Sequence, residues 1–211
     1  MNIAITVFQF IVVIFSAVFH ELAHGYEAER LGDPTARNAG RLTLNPLVHL
    51  DFFGSFLMPI LLYIGSGGAF FLAMAKPMPF DPRNLKDPRV GPARIALAGP
   101  LTNLFLALVF GIIFRLFVFL SVPNIFLQLL AIICVINLIL GIFNLVPIPP
   151  LDGSRVLFAI LPQNESTYRA MYFFERFGIF FVMAFAFYGF QFLLPVRSFL
   201  FTIFTGQSFG L

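Results

Sequence analysis

Charged residues are scarce in this chain of 211 residues: they make up 11% of it, whereas 59% of the residues are hydrophobic. An ordinary soluble domain carries roughly a quarter charged residues. The composition therefore excludes such a domain and indicates a protein that lies in a lipid bilayer. Tryptophan is absent as well, so only the five tyrosines could form the polar aromatic belt that is common at membrane interfaces.

Cysteine occurs once, as Cys134, which excludes a disulfide within the chain. The net charge of +3 comes from basic residues in the loops between apolar runs, a distribution that does not indicate a nucleic-acid partner. No repeat and no separate polar domain interrupts the sequence. We expect residues 1–211 to form a single membrane domain.

Four apolar runs are long enough to cross a bilayer, which takes roughly 20 residues of helix. They are Ile3 to about Ala23, Ile95 to Leu120, Ile125 to Val146, and Met171 to Leu194. The sequence thus predicts an all-α polytopic membrane protein with four clear transmembrane helices.

Two other segments have distinct patterns. The stretch 52–75 is divided by Gly65-Ser66-Gly67-Gly68 into two apolar pieces, each too short to span. Basic residues precede and follow it, so the positive-inside rule predicts that both flanks are cytoplasmic and that 52–75 is a re-entrant or paired segment. Residues 40–46 alternate polar and apolar side chains and end on proline, a pattern that predicts a short strand.

The sequence His20-Glu21-Leu22-Ala23-His24 places two imidazoles four positions apart on a helix. At this spacing both rings reach a single zinc ion at ~2.0–2.1 Å. Zinc lowers the pKa of a bound water to about 7, and Glu21 beside it could take the proton and later deliver it to a leaving amine. Because ionisable groups are costly at membrane depth, the motif predicts a hydrolytic site with Zn²⁺ as cofactor. The alternative is a pair of histidines that are hydrogen-bonded between helices.

A catalytic zinc site has three protein ligands and an open fourth position. His49 and Asp152 are the candidates for the third ligand. Asp152 follows a proline-rich break at the end of the third apolar run, where the alternative role is that of a helix cap. A lone interfacial histidine such as His49 is often structural.

Four stretches together resemble the site-2 protease family of intramembrane metalloproteases: His20 to His24, Ala75-Lys76-Pro77-Met78-Pro79, Ala98-Gly99-Pro100-Leu101-Thr102-Asn103, and Asn144 to Gly153. The resemblance implies that His20, His24 and Asp152 hold the metal and that Glu21 is the general base. It also implies that Asn144 binds the substrate near the scissile carbonyl and donates a hydrogen bond to the developing oxyanion.

The chain is similar to the smallest branch of the family, which has no regulatory peptide-binding domain. For Asn103, which lies near the start of a span, an interhelical hydrogen bond is the expected role.

The expected function is hydrolysis of peptide bonds in or near the transmembrane helices of substrate proteins. The expected partners are membrane protein or peptide substrates and the lipid bilayer, and nothing in the sequence fixes an oligomeric state. The expected location is a prokaryotic plasma membrane, with the active site toward the cytoplasm. Two other classes are a membrane metal-ion transporter, in which His, Glu and Asp would bind ions transiently, and a catalytically inactive scaffold. With three histidines, the chain offers one coherent ligand set, which favours the hydrolase.

Overall fold

The computed structural model of the chain describes residues 3–50, 57, 64 and 75–208, which are mainly helical. The described α-helices are α1 (Ile3–Arg30), α2 (Thr35–Asn38), α3 (Val90–Phe119), α4 (Asn124–Asn144), α5 (Asp152–Ile160), α6 (Glu165–Ala184) and α7 (Leu193–Thr205). Short 3₁₀ turns occupy Pro46–His49 and Pro82–Asn84. A π-helical turn at Phe185–Gly189 and a 3₁₀ turn at Phe190–Phe192 join α6 to α7.

Four stretches of the described chain are long and apolar enough to cross a membrane: Ile3–Arg30, Val90–Phe119, Asn124–Asn144 and Glu165–Thr205. They coincide with the four predicted runs and confirm an all-α polytopic membrane fold. The last stretch is longer than predicted, because α6 and α7 continue one another through the joint at 185–192. The segment 52–75, predicted to be re-entrant or paired, falls almost entirely outside the described residues.

Helix α3 is the centre of the bundle and packs against α1, α4, α5 and α7. Small residues line its buried face, among them Gly91, Ala96, Gly99 and Ala107. Apolar burial gives little drive for association between helices in lipid, so small residues that let backbones approach closely are the usual packing device. The close approach of α3 to α1 and α5 brings three parts of the functional site together.

The prediction of a short strand at 40–46 is wrong: this part of the described chain forms turns and leads into the 3₁₀ turn Pro46–His49. Gly40 has a left-handed φ of 65°, and the Thr43 amide donates to the Arg41 carbonyl at 3.0 Å. The Asn45 side chain accepts from the Leu47 amide at 3.1 Å. Polar groups here bond locally, so the alternation of the sequence does not produce a strand ladder.

Residues 75–80 form an extended segment, called the strap below, that crosses α1 beside its histidines. The Arg41 guanidinium donates to the Lys76 carbonyl at 2.8 Å, and the Lys76 amide donates to the His49 carbonyl at 2.8 Å. Pro77 and Pro79 have no N–H groups and fix φ, which keeps the strap extended. The strap is thereby anchored to the loop that follows α1.

Candidate metal centre and active site

Three predicted ligands converge at the junction of α1 and α5. His20 and His24 lie one turn apart on the buried face of α1, with their ring centroids 4.6 Å apart. Asp152 is the first residue of α5, and its Oδ2 atom lies 3.0 Å from His20 Nε2 and 3.4 Å from His24 Nε2. One donor atom of each residue lies within 4.8 Å of the others.

The position of Asp152 depends on a close turn between α4 and α5. The proline-rich break after Asn144 ends α4, and the chain folds back so that α5 begins beside the last turn of that helix. A Cβ atom on Gly153 would lie 2.1 Å from the Leu145 carbonyl oxygen. Glycine at this position therefore permits the return that brings Asp152 to the histidines of α1.

The geometry and the donor chemistry fit a zinc ion. Tetrahedral zinc with ligands at ~2.0–2.1 Å separates adjacent donor atoms by roughly 3.3 Å, close to the 3.0 and 3.4 Å found between Asp152 and the two imidazoles. His24 Nδ1 lies 2.7 Å from the Ile95 carbonyl, which can only accept a hydrogen bond. In the neutral ring the Nε2 lone pair of His24 therefore faces Asp152. His20 has the same arrangement, with Nδ1 2.5 Å from Asn103 Oδ1. Two imidazole lone pairs and a carboxylate that face one another are a donor set that suits a divalent cation.

The two alternatives from the sequence have different environments. Leu151 is the N-cap residue of α5, and among the described residues its side chain makes no capping bond, while the Asp152 carboxylate contacts the histidines. His49 is fully buried, and its Nε2 donates to the Thr43 carbonyl at 2.8 Å. His49 therefore stabilises the turn of 43–49 and lies outside the cluster that His20, His24 and Asp152 form.

Glu21 and Asn144 line the same cavity of about 210 Å³ as the three ligands. Glu21 Oε2 accepts a hydrogen bond from the Met78 amide of the strap at 2.7 Å. Asn144, the last residue of α4, donates through Nδ2 to the Leu140 carbonyl at 2.9 Å. An asparagine amide carries a second N–H, so this bond does not exhaust its capacity to donate.

Sequence reasoning missed several groups around the site. The Met78 amide and the Ile95 carbonyl are main-chain groups, for which the sequence carries no signal. Arg155 also lines the cavity, and its guanidinium carbon lies 5.0 Å from the centroid of the Phe80 ring. The expected interhelical bond of Asn103 is present, since Nδ2 donates to Asn137 Oδ1 at 2.9 Å. The sequence carries no sign of its further contact with His20.

Helices that cross a membrane and carry a zinc-type ligand set beside a carboxylate define the class of intramembrane metalloproteases. Residues 120–185 match the sequence model of Peptidase family M50. The chain is 39% identical over 163 residues to YwhC of Bacillus subtilis, an alignment that covers 73% of this chain and 69% of that protein. It is 33% identical over 159 residues to MJ0611 of Methanocaldococcus jannaschii, covering 74% and 72% of the two chains.

A third relative is Rip2 of Mycolicibacterium smegmatis, 31% identical over 158 residues, which cover 75% of this chain and 58% of that protein. All three relatives are named zinc metalloproteases. No solved structure matches the chain. The chain belongs to Peptidase family M50, the site-2 protease family. It is an intramembrane zinc metalloendopeptidase with Zn²⁺ as its cofactor, and the transporter and scaffold alternatives are not favoured.

Proposed function

We propose that His20, His24 and Asp152 hold the catalytic zinc ion, that Glu21 is the general base, and that Asn144 binds the scissile carbonyl. The observation that carries this proposal is the convergence of three donor atoms within 4.8 Å, in a cavity that also contains Glu21 and Asn144. The ligands come from both α1 and α5 and their supporting contacts from α3. We therefore propose that residues 1–211 act as one domain.

The side chains have distinct tasks in this proposal. When bound, zinc supplies a Lewis acid and lowers the pKa of water. Because the Met78 amide occupies Glu21 Oε2, we assign to Glu21 Oε1 the proton taken from the attacking water and passed to the leaving amine. The second N–H of Asn144 donates to the carbonyl oxygen as negative charge develops there.

The structure of a helix limits the form of the substrate. Every peptide bond inside a helix is hydrogen-bonded to the next turn and shielded by side chains. A substrate helix must therefore unwind before its peptide bond reaches Glu21, and we propose that substrates are membrane proteins with helix-breaking residues near the cleavage site.

We further propose that the protein lies in a prokaryotic plasma membrane, with the active site toward the cytoplasm. Basic residues cluster where α1 ends and α3 begins, the end of the bundle that carries the histidines: Arg30, Arg37, Arg83, Arg89 and Arg94. The positive-inside rule assigns such an end to the cytoplasm.

The test compares zinc content and substrate cleavage in four purified variants, of which His20→Gln is the reference for loss of a ligand. Glu21→Gln should keep zinc and lose at least about a hundredfold in cleavage rate, because Glu21 moves protons and does not bind the metal. Asp152→Asn should lose both, since asparagine is a poor zinc ligand although it caps a helix as well as aspartate does. His49→Gln is the matched control, because it retains a donor for the Thr43 carbonyl and should keep both zinc and activity.

Three results would contradict the assignment. Full zinc and activity in Asp152→Asn together with their loss in His49→Gln would make His49 the third ligand. Loss of zinc from Glu21→Gln as complete as from His20→Gln would make Glu21 a ligand instead of a base. Ion flux by the wild type in proteoliposomes without cleavage would identify a transporter.

A further inference from the structure

A buried polar network lies between the helices beside His20. It consists of Ser16 on α1, Asn103 on α3 and Asn137 on α4, whose exposed fractions are 4%, 0% and 1%. Asn103 Nδ2 donates to Asn137 Oδ1 at 2.9 Å and to the Ser16 carbonyl at 3.3 Å. Asn137 Nδ2 donates to Ser16 Oγ at 3.0 Å and to the Ile133 carbonyl at 2.9 Å. The network thus joins three of the membrane-spanning helices.

The directions of these bonds are fixed by two main-chain carbonyls, which can only accept. The Ile133 carbonyl requires the NH₂ group of Asn137 on its side, so Asn137 Oδ1 must face Asn103. The Ser16 carbonyl likewise requires the NH₂ group of Asn103. Asn103 Oδ1 therefore faces His20 Nδ1 at 2.5 Å, and the imidazole must donate this bond.

We propose that Asn103 is a positioning residue of the metal centre, and that Asn137 and Ser16 act on the centre through it. The proposal rests on the proposed function, in which His20 is a metal ligand. Asn103 holds the proton of His20 on Nδ1, so that the Nε2 lone pair points toward Asp152 and the ion. An amide flip of either asparagine would leave buried groups unpaired in a low-dielectric interior, which makes the arrangement rigid.

The two histidines differ in how they are oriented. His24 donates to the main-chain carbonyl of Ile95, a partner that no side-chain substitution removes. His20 depends on a side chain, and mutation can test that dependence. Partners of this kind, which orient a metal-binding imidazole through its other nitrogen, typically contribute 10–100-fold to metal affinity.

The first experiment measures the zinc dissociation constant of Asn103→Leu by chelator competition on the folded protein in detergent. Leucine has the same branched skeleton of four side-chain heavy atoms as asparagine but offers no acceptor, so we expect zinc to bind about 10–100-fold more weakly. Cys134→Ala is the matched control. It removes another buried contact between α4 and α3, from Cys134 Sγ to the Ala107 carbonyl at 3.4 Å, and should leave zinc affinity unchanged. A lower melting temperature for Asn103→Leu with wild-type zinc affinity would mean a structural role only and would overturn the proposal.

The second experiment asks whether Asn137 acts through Asn103. Asn137→Leu should weaken zinc binding less than Asn103→Leu does, because the acceptor for His20 remains although it is less well oriented. The double variant should bind zinc as well as Asn103→Leu alone, since residues that act in series are not additive. If the two losses in zinc affinity were fully additive, Asn137 would not act through Asn103, and this part of the proposal would be overturned.

A third measurement needs no variant of the network. In the zinc-loaded wild type with ¹⁵N-labelled histidine, the His20 resonances, identified by their absence from His20→Gln, should show a protonated Nδ1 and a metal-bound Nε2. Metal on Nδ1 would overturn the proposal. Wild-type zinc affinity in His20→Gln would overturn the proposed metal site as well, whereas zinc loss in His20→Gln with none in Asn103→Leu would overturn the positioning role alone.

Discussion

Gly99 lies where α3 passes the two imidazoles of α1. A Cβ atom at this position would lie 2.5 Å from His20 Nε2 and 2.6 Å from His24 Cε1. The two rings have little freedom to move away, because each is held through Nδ1, by Asn103 Oδ1 and the Ile95 carbonyl respectively. The proposed metal site therefore requires that position 99 has no side chain.

We predict that Gly99→Ala weakens zinc binding by about tenfold or more, in the range typical for disturbed support of a metal ligand. Alanine favours the helix by about 1 kcal/mol over glycine, so this loss would occur without any weakening of helix propensity. Chelator competition measures the affinity, and thermal unfolding of the zinc-free protein measures stability. Gly111→Ala on the same helix is the control: its Cβ would meet Phe204 Cβ at 2.7 Å, which costs stability but should leave zinc affinity intact. Wild-type affinity in Gly99→Ala would show that the site tolerates a wider separation of α1 and α3.

Among the individual residues of the site, the sequence reveals those that belong to one local pattern. The spacing of His20 and His24 predicts a metal site from one helix turn alone. Chemistry alone leaves both Asp152 and His49 as candidates for the third ligand. Only the resemblance to the site-2 protease family implies Asp152. The contact between Asn103 and His20 joins residues 83 positions apart, and an asparagine in an apolar run has the same sequence signature whether it orients a ligand or only joins two helices.

The strap is the element that places a main-chain donor against Glu21. Its two prolines predict an extended chain, but its anchors are main-chain groups and buried side chains of residues 33–49, which no periodicity reveals. The wrong prediction of a strand at 40–46 has the same origin. Arg41 alternates with apolar neighbours because its buried guanidinium reaches the strap carbonyls, and not because it lies on the polar face of a sheet.

Asp33 ties the strap region to the end of α1. Its side chain is fully buried and accepts four hydrogen bonds: from the Thr35 amide and hydroxyl, from Asn84 Nδ2, and from the Asp81 amide. Burial raises the pKa of this carboxyl, but the hydrogen bonds together hold the pKa below its ordinary value. The unfolded chain, with a pKa of about 3.9, then takes up the proton first as the pH falls. The stabilisation is present above about pH 3.9 and is lost as the pH falls from there through the folded pKa.

We predict that Asp33→Asn lowers the free energy of unfolding at pH 7 by about 1.5–3 kcal/mol, the usual contribution of a hydrogen bond to a charged group. The amide presents an N–H where the Asp81 amide needs an acceptor, so at least that bond is lost. The difference from the wild type should shrink below about pH 3.9. Chemical unfolding in detergent across this pH range measures it. Glu165→Gln alters an exposed ion pair with Arg169 and should have little effect on the free energy of unfolding at any pH. If the difference in free energy between Asp33→Asn and the wild type stayed constant with pH, the charge of Asp33 would be excluded as its cause.

At the scale of the whole molecule, the four membrane-spanning stretches of the described residues could be predicted, because length and apolar content suffice to recognise them. The joint between α6 and α7 could not be predicted from the sequence. Pro195 lies in the first turn of α7, where its missing N–H costs no intrahelical bond. A continuous apolar run gives no separate sign of the π-helical turn that precedes it. The sequence therefore predicted one span where the structure has two helices in series.

A hydrogen bond between two loops shows on which side of the membrane each loop lies relative to the other. The Asp81 amide donates to Asp33 Oδ2 at 2.7 Å, so the loop after α1 and the loop before α3 lie at one face of the membrane. Helix α3 has 30 residues and at 1.5 Å per residue is about 45 Å long. This exceeds the roughly 30 Å of the hydrocarbon core, so the turn at 121–124 lies at the opposite face.

We predict the labelling pattern of three single cysteines introduced at exposed positions on a Cys134→Ala background, which removes the native thiol. Asn38→Cys and Lys86→Cys should react with a membrane-impermeant maleimide only from the cytoplasmic side, in inside-out vesicles. Asn124→Cys should react only from the outside, in intact cells. Each variant serves as a control for the others, because a leaky preparation would label all three from both sides. Reaction of positions 38 and 86 from opposite faces would contradict the hydrogen bond between Asp81 and Asp33. Reaction of position 124 from the cytoplasmic side, with positions 38 and 86 reacting from outside, would invert the orientation that the basic residues predict.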